Sequence, residues 1–170
     1  MAIISFDNAL GENPQGNAEL IRLIRQLIAD AIAGNTGMNL NSVLTGNYMT
    51  SGLLSKLTAG TALSFGNVCY VGPDGKMELA SNATSATVPA IGIVSSQGIL
   101  EDGTGKFLLH GFLRDDSSTW SSGGMLYLST GGALTQTAPA VSGEQIQWMG
   151  IAIAANIIYF NPNLVVGEVT

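Results

Sequence analysis

Gly66-Asn67-Val68-Cys69-Tyr70-Val71-Gly72-Pro73-Asp74-Gly75-Lys76-Met77 and Gly123-Gly124-Met125-Leu126-Tyr127-Leu128-Ser129-Thr130-Gly131-Gly132-Ala133-Leu134 are two forms of one pattern. The first glycine, the tyrosine, the aliphatic after it and the turn glycine recur at an offset of 57 residues. Pro89-Ala90-Ile91-Gly92-Ile93-Val94 then echoes as Gln147-Trp148-Met149-Gly150-Ile151-Ala152 at an offset of 58, so one inserted residue separates the two matches. Internal self-similarity decides the architecture before any single element does. Each copy reads as strand, glycine turn, strand, and neither carries a catalytic constellation, which predicts an all-β structural module.

Outward from these hairpins, residues 58–170 read as short strands near 62–71, 76–80, 88–95, 106–113, 124–128, 133–137, 145–153 and 156–160, divided by Gly and Pro turns. Pro73-Asp74-Gly75 and Gly131-Gly132 close the two related hairpins, because glycine tolerates the positive φ of tight turns. The expected fold is mainly β, a duplicated barrel or sandwich with halves 58–114 and 115–170.

Upstream the text changes. Residues 1–16, with Asn8, Gly11, Asn13, Pro14 and Gly16, read as an irregular arm. Asn17 is a suitable N-cap, Glu19 lies where the helix dipole favours an anion, and Gly34-Asn35 supplies a stop. Between them Leu20, Ile21, Leu23, Ile24, Leu27, Ile28, Ala31 and Ile32 occupy one half of a helical wheel. That stripe is wider than a coiled-coil seam and reads as an oligomerisation element carried by Leu20, Ile21, Ile24, Leu27, Ile28 and Ala31, in preference to a core helix of its own domain. A membrane-surface helix fits less well, since the polar face holds only Arg22 and Arg25 as cations. Residues 37–57 read as an extended, charge-poor linker in which Leu53, Leu54 and Leu57 need burial at the junction with the β domain.

Charge narrows the function. Only 11% of the 170 residues are charged, against about 25% in ordinary domains. A surface that poor in charge is expected where much of it is buried against other copies or another protein. The net charge of −6 and six scattered basic residues argue against nucleic acid, whose binders place Lys and Arg on phosphates. No apolar run reaches the roughly 18 residues of a membrane span, and the N-terminus lacks the pattern of a signal peptide, so synthesis in a cytoplasm is expected.

Few residues form a pattern that could carry chemistry. Gly103-Thr104-Gly105-Lys106 resembles the end of a phosphate loop but lacks its first glycine, and Phe107 stands where a hydroxyl residue is required. Asp115 and Asp116 adjoin and read as a solvated loop. With one histidine, His110, and one cysteine, Cys69, a single chain cannot assemble a zinc site, and no cofactor is expected. His110 reads as a hydrogen-bonded strand histidine, the alternative being a site on a symmetry axis shared by copies. Cys69 reads as a small buried hydrophobe. Trp148 reads as core, whereas Trp120, flanked by Ser and Thr, is the better surface-contact candidate. Asn82-Ala83-Thr84 is a glycosylation sequon by pattern only.

The run from Leu57 to Val71, then Asp74-Gly75-Lys76, Ala80, Ala90-Ile91-Gly92-Ile93, Gly111, Gly123-Gly124-Met125-Leu126-Tyr127-Leu128 and Gly150-Ile151-Ala152 resemble the β domain of tailed-bacteriophage head-fibre and capsid-decoration proteins and of related tail-fibre segments. The resemblance covers roughly the C-terminal two thirds and rests on glycine and aliphatic spacing. It implies a trimeric, non-enzymatic virion protein whose N-terminal region attaches to the major capsid protein or another virion protein while the β domain projects. Ile3, Ile4 and Phe6 are the expected anchors, being the few apolar groups of a polar arm. A tail-fibre or receptor-binding trimer contacting saccharide near Trp120 is the alternative. A depolymerase ranks third, for want of a carboxylate pair.

Overall fold

The computed structural model describes Arg22, Met38, Asn39 and residues 44–170. The chain divides into two units, Met1–Thr36 and Gly37–Thr170. Of the first, only Arg22 is described, helical and exposed. The expected arm with Ile3, Ile4 and Phe6, and the apolar stripe from Leu20 to Ala31, lie outside the described residues.

The second unit is mainly β. Its strands are β1 (Met38–Asn39), β2 (Met49–Thr58), β3 (Leu63–Ser64), β4 (Val68–Val71), β5 (Met77–Leu79), β6 (Gly92–Val94) and β7 (Gly98–Ile99). They continue as β8 (Thr104–Arg114), β9 (Met125–Leu128), β10 (Leu134–Thr135), β11 (Gln145–Ile146), β12 (Trp148–Ala154), β13 (Ile157–Phe160) and β14 (Gly167–Glu168). Period-two burial marks the decisive ones: Leu126, Leu128, Ile158 and Phe160 point inward while Met125, Tyr127, Ile157 and Tyr159 are exposed or half-buried.

One sequence expectation is corrected here. Residues 37–57, read as an extended linker outside a β domain starting near 58, instead contribute β1 and nearly all of β2. β2 pairs antiparallel with β8 from Met49↔Arg114 to Thr58↔Thr104. The physical reason is that Leu54 and Leu57 each pack on a core cluster, as their apolarity demands, while the interspersed Ser and Thr disguise the strand.

Strand β8 organises the antiparallel sheet. Phe107 and Leu108 pair with β6, and Gly111 to Arg114 pair with β13, yet all of these residues also pair with β2. A strand has only two edges, so β6 and β13 share the edge opposite β2. The sheet therefore forks into a branch β6-β4-β5 and a branch β13-β12-β9-β10. The two branches curl over one core, in which Val68, Ala80, Ala90 and Ile93 meet Leu126, Leu128, Met149, Ile158 and Phe160, with Leu108 and Leu113 of β8 between them. Each such large side chain stabilises the fold by about 1.5–3 kcal/mol on burial.

The first branch is buried on its other face as well. Cys69, Met77, Val94 and Phe107 lie beneath Ala59, Leu63 and Ile99, where β3 pairs with β7 through Leu63↔Ile99.

Within the branches the echoing segments pair alike. Tyr70↔Glu78 and Val71↔Met77 in the first hairpin correspond to Tyr127↔Thr135 and Leu128↔Leu134 in the second, each at the 57-residue offset. Cys69↔Gly92 and Val68↔Ile93 correspond to Leu126↔Gly150 and Met125↔Ile151. Corresponding positions nevertheless turn opposite ways. Val68 enters the shared core while Met125 is 47% exposed, and Cys69 lies in the outer cluster while Leu126 enters the shared core.

Candidate interaction surface

The outward face of the second branch carries a row of side chains that the register defines. Phe112↔Tyr159, Tyr159↔Ile151 and Ile151↔Met125 are successive cross-strand pairs, so these four side chains form one row across β8, β13, β12 and β9. Leu53 opposite His110, Ile153 two residues beyond Ile151, and Tyr127 opposite Trp148 widen the row. Leu53, Phe112, Met125 and Ile153 are each between 41% and 51% exposed. None of these residues is Asp, Glu, Lys or Arg.

At one end lies a pocket of about 150 Å³ lined by Leu53, His110, Phe112, Tyr159 and bare backbone. The backbone floor is Gly52 opposite Gly111, with φ of 146° and 140°. A Cβ on Gly52 would strike the carbonyl oxygen of His110, and one on Gly111 that of Ser51, so only glycine permits the two strands to approach here. Tyr159 Oη and His110 Nε2 are 2.7 Å apart, with their rings edge-on at a centroid separation of 5.2 Å. Phe112 lies 5.2 Å from the Tyr159 ring on its other side. Because the hydroxyl and the imidazole Nε2 are paired with one another, the pocket presents mostly ring and methyl surface, suited to an apolar side chain.

The singled-out residues fall in different places. His110 is a hydrogen-bonded histidine on the exposed side of β8. Trp120, expected at the surface, is half-buried against the shared core and lines a separate pocket with Leu113, Leu134 and Ile158. Trp148 is half-buried in β12, and its Nε1 is enclosed without an acceptor among the described residues. Cys69 is fully buried, and that burial, followed by the charge of Glu78, pushes its thiol up to about 12. Lys106 of the phosphate-loop look-alike lies in β8, a strand rather than a helix.

Asp115 and Asp116 are turn fasteners. Asp115 accepts from the Ser117 amide at 2.9 Å and its hydroxyl at 2.6 Å. Asp116 accepts from Arg114 Nε at 2.6 Å and from Asn156 Nδ2 at 2.6 Å, and the Arg114 bond holds its carboxyl below the ordinary carboxylate range. Among the described residues no three of His, Cys, Asp and Glu are grouped to hold a metal ion, and no helix is long and apolar enough to cross a membrane.

The row from Phe112 to Met125 escaped the sequence reading. Its members are far apart in the chain, and only strand order and register bring them together; the sole local signal was the alternation of Met125, Tyr127, Ile151 and Ile153 with buried neighbours. No family model matches the chain, and no curated protein matches it.

Proposed function

We propose that this protein is a non-enzymatic structural component of a virion, a trimeric capsid-decoration or head-fibre protein. Its β unit projects, and its N-terminal region, through Ile3, Ile4 and Phe6, attaches to the major capsid protein. The helical stripe from Leu20 to Ala31 gathers the copies. The observation that carries the reading is the combination of an 11% charged chain with a continuous uncharged row, Phe112, Tyr159, Ile151 and Met125, on the outside of its sheet. Such a surface suits a protein that works within an assembly rather than alone in solution. The resemblance of the segment from Leu57 onward to head-fibre and decoration domains supplies the virion and the number three.

The same proposal includes a duplication: residues from β4 to β8 and from β9 to β13 descend from one unit, folded into a barrel-like or sandwich-like pair. The matching registers of the two hairpins and of their following strands support it.

Labelled protein imaged on particles tests the reading. Density over the head is the expected result. Density confined to the tail favours the receptor-binding alternative, and no association with particles overturns both.

A further inference from the structure

The two echoing units are not packed face to face in a symmetric way. The Val68/Ile93 side of the first lies on the Leu126/Leu128 side of the second within the shared core. By the offsets of the repeat, Leu126 corresponds to Cys69 and Ile151 to Ile93. The contact therefore joins one side of the unit to the opposite side of its copy, a heterologous stacking of two units. A stack of this kind has two ends. One end, the side of Cys69, Met77, Val94 and Phe107, is closed by Ala59, Leu63 and Ile99. The other, the side of Met125, Tyr127, Ile151 and Tyr159, has no such lid among the described residues, and Met125 is 47% exposed where its counterpart Val68 is 0%.

We infer that this open end is covered by a second copy of the chain, making it a contact between β units in the assembled protein. The inference rests on the homo-oligomeric reading above but uses a different surface from the helical stripe. Three observations select a copy as the occupant. At Met125, Tyr127 and Ile151 the surface corresponds to Val68, Tyr70 and Ile93, which already pack against a copy of the same unit. The row from Phe112 to Met125 holds no Asp, Glu, Lys or Arg in a chain of net charge −6, so two like-charged copies approach along it at low electrostatic cost, and the row offers no complement to a charged partner. Because the opposite end is closed, the heterologous stacking inside the chain cannot continue from one chain to the next, and copies meet open end to open end. Phe112 and Tyr159 are the anchoring side chains, being the aromatic pair at the pocket end of the row.

Methionine oxidation of the purified full-length chain tests this, read by peptide mass spectrometry beside light scattering. Met125 is the reporter, with Met77 and Met149, 1% and 0% exposed, as internal buried standards. The expected result is an oligomeric mass with Met125 as slow to oxidise as Met77 and Met149, and a return to fast oxidation on dilution to single chains. Ile153→Lys in the full-length chain should abolish the protection while leaving the circular dichroism unchanged. An oligomer in which Met125 oxidises at the free rate overturns this contact and leaves the homo-oligomeric reading standing. A single-chain mass with Met125 reactive overturns both. A single-chain mass with Met125 protected overturns the inference too, and assigns the cover to the chain's own N-terminal residues.

Discussion

The side chain of Gln147 behaves as a strand partner for Ala90. Its Nε2 donates to the Ala90 carbonyl at 2.8 Å, and its Oε1 accepts from the Ala90 amide at 2.8 Å, so one carboxamide satisfies both backbone groups of a residue 57 positions away. The remaining Nε2 proton goes to the Asn163 carbonyl at 2.8 Å, and the side chain is wholly enclosed. The bond ties the end of the first branch to the second at a place where no ladder joins them.

Gln147→Leu keeps most of the volume but strands the amide and the carbonyl of Ala90 in the core. A buried backbone group without a partner costs about 1–3 kcal/mol, so the variant should lose about 2–5 kcal/mol in urea unfolding. Gln147→Glu should be destabilised as well, because a carboxylate offers the Ala90 carbonyl no donor. A change within about 0.5 kcal/mol for both variants would show that water replaces the amide there.

Gly92 and Gly150 hold corresponding places in the two units, yet alanine should affect them differently. Gly150 has a φ of 145°, and a Cβ there would strike the Tyr159 carbonyl oxygen. At Gly92 the new methyl would meet the Leu109 Cδ2 at 3.3 Å and the Met77 Cε at 3.5 Å, both movable side-chain tips. Gly150→Ala should cost about 3 kcal/mol or more, and Gly92→Ala about 1 kcal/mol or less. Paired thermal or denaturant melts check the order.

The Cys69 thiol should be inert in the folded chain. With its pKa pushed up to about 12 by burial and by Glu78, its thiolate is scarce from pH 7 to 9, and the sulfur is wholly enclosed. Alkylation by iodoacetamide at pH 8 should therefore follow the unfolded fraction in urea rather than pH alone. Rapid labelling without denaturant would show an opening of the cluster around Met77 and Phe107.

Asp116 fastens the 44–47 segment to the end of β8, since its amide donates to Asn47 Oδ1 at 2.9 Å and its partner Arg114 donates to the Leu44 carbonyl at 2.9 Å. Its carboxyl pKa is lowered in the fold, first by the Arg114 hydrogen bond, so the ionised form contributes stability above the ordinary value of 3.8. That contribution is lost as pH falls through the folded value. Asp116→Asn should be slightly less stable than the natural chain at pH 7, and the difference should vanish at pH 2. The effect is small, because the group is exposed to solvent. A difference that grows in acid would contradict this linkage.

Much of the β unit was legible residue by residue. The hairpins at Pro73-Asp74-Gly75 and Gly131-Gly132, the strands around Tyr70 and Tyr127, and the buried Cys69 follow from local pattern, because turn chemistry and period-two alternation act over a few residues. β2 was not legible, since Met49-Thr50-Ser51-Gly52 and Ser55-Lys56 carry no clean alternation and Gly52 looks like a linker residue. It is a strand because β8 offers it an edge and Gly111 meets Gly52 without side chains between them.

By itself the sequence determined the two glycine-closed hairpins, the existence of an internal echo and the poverty of charge, all of which are properties of neighbouring residues or of composition. Tertiary structure alone decided which side of each copy is inside. Met125 and Val68 are equivalent in the repeat and both apolar, so no local propensity separates them. Only the fork at β8, which stacks one unit's side on the opposite side of the other, buries Val68 and leaves Met125 in a row with Ile151, Tyr159 and Phe112. That choice is made by long-range pairing and packing, which no window of sequence contains.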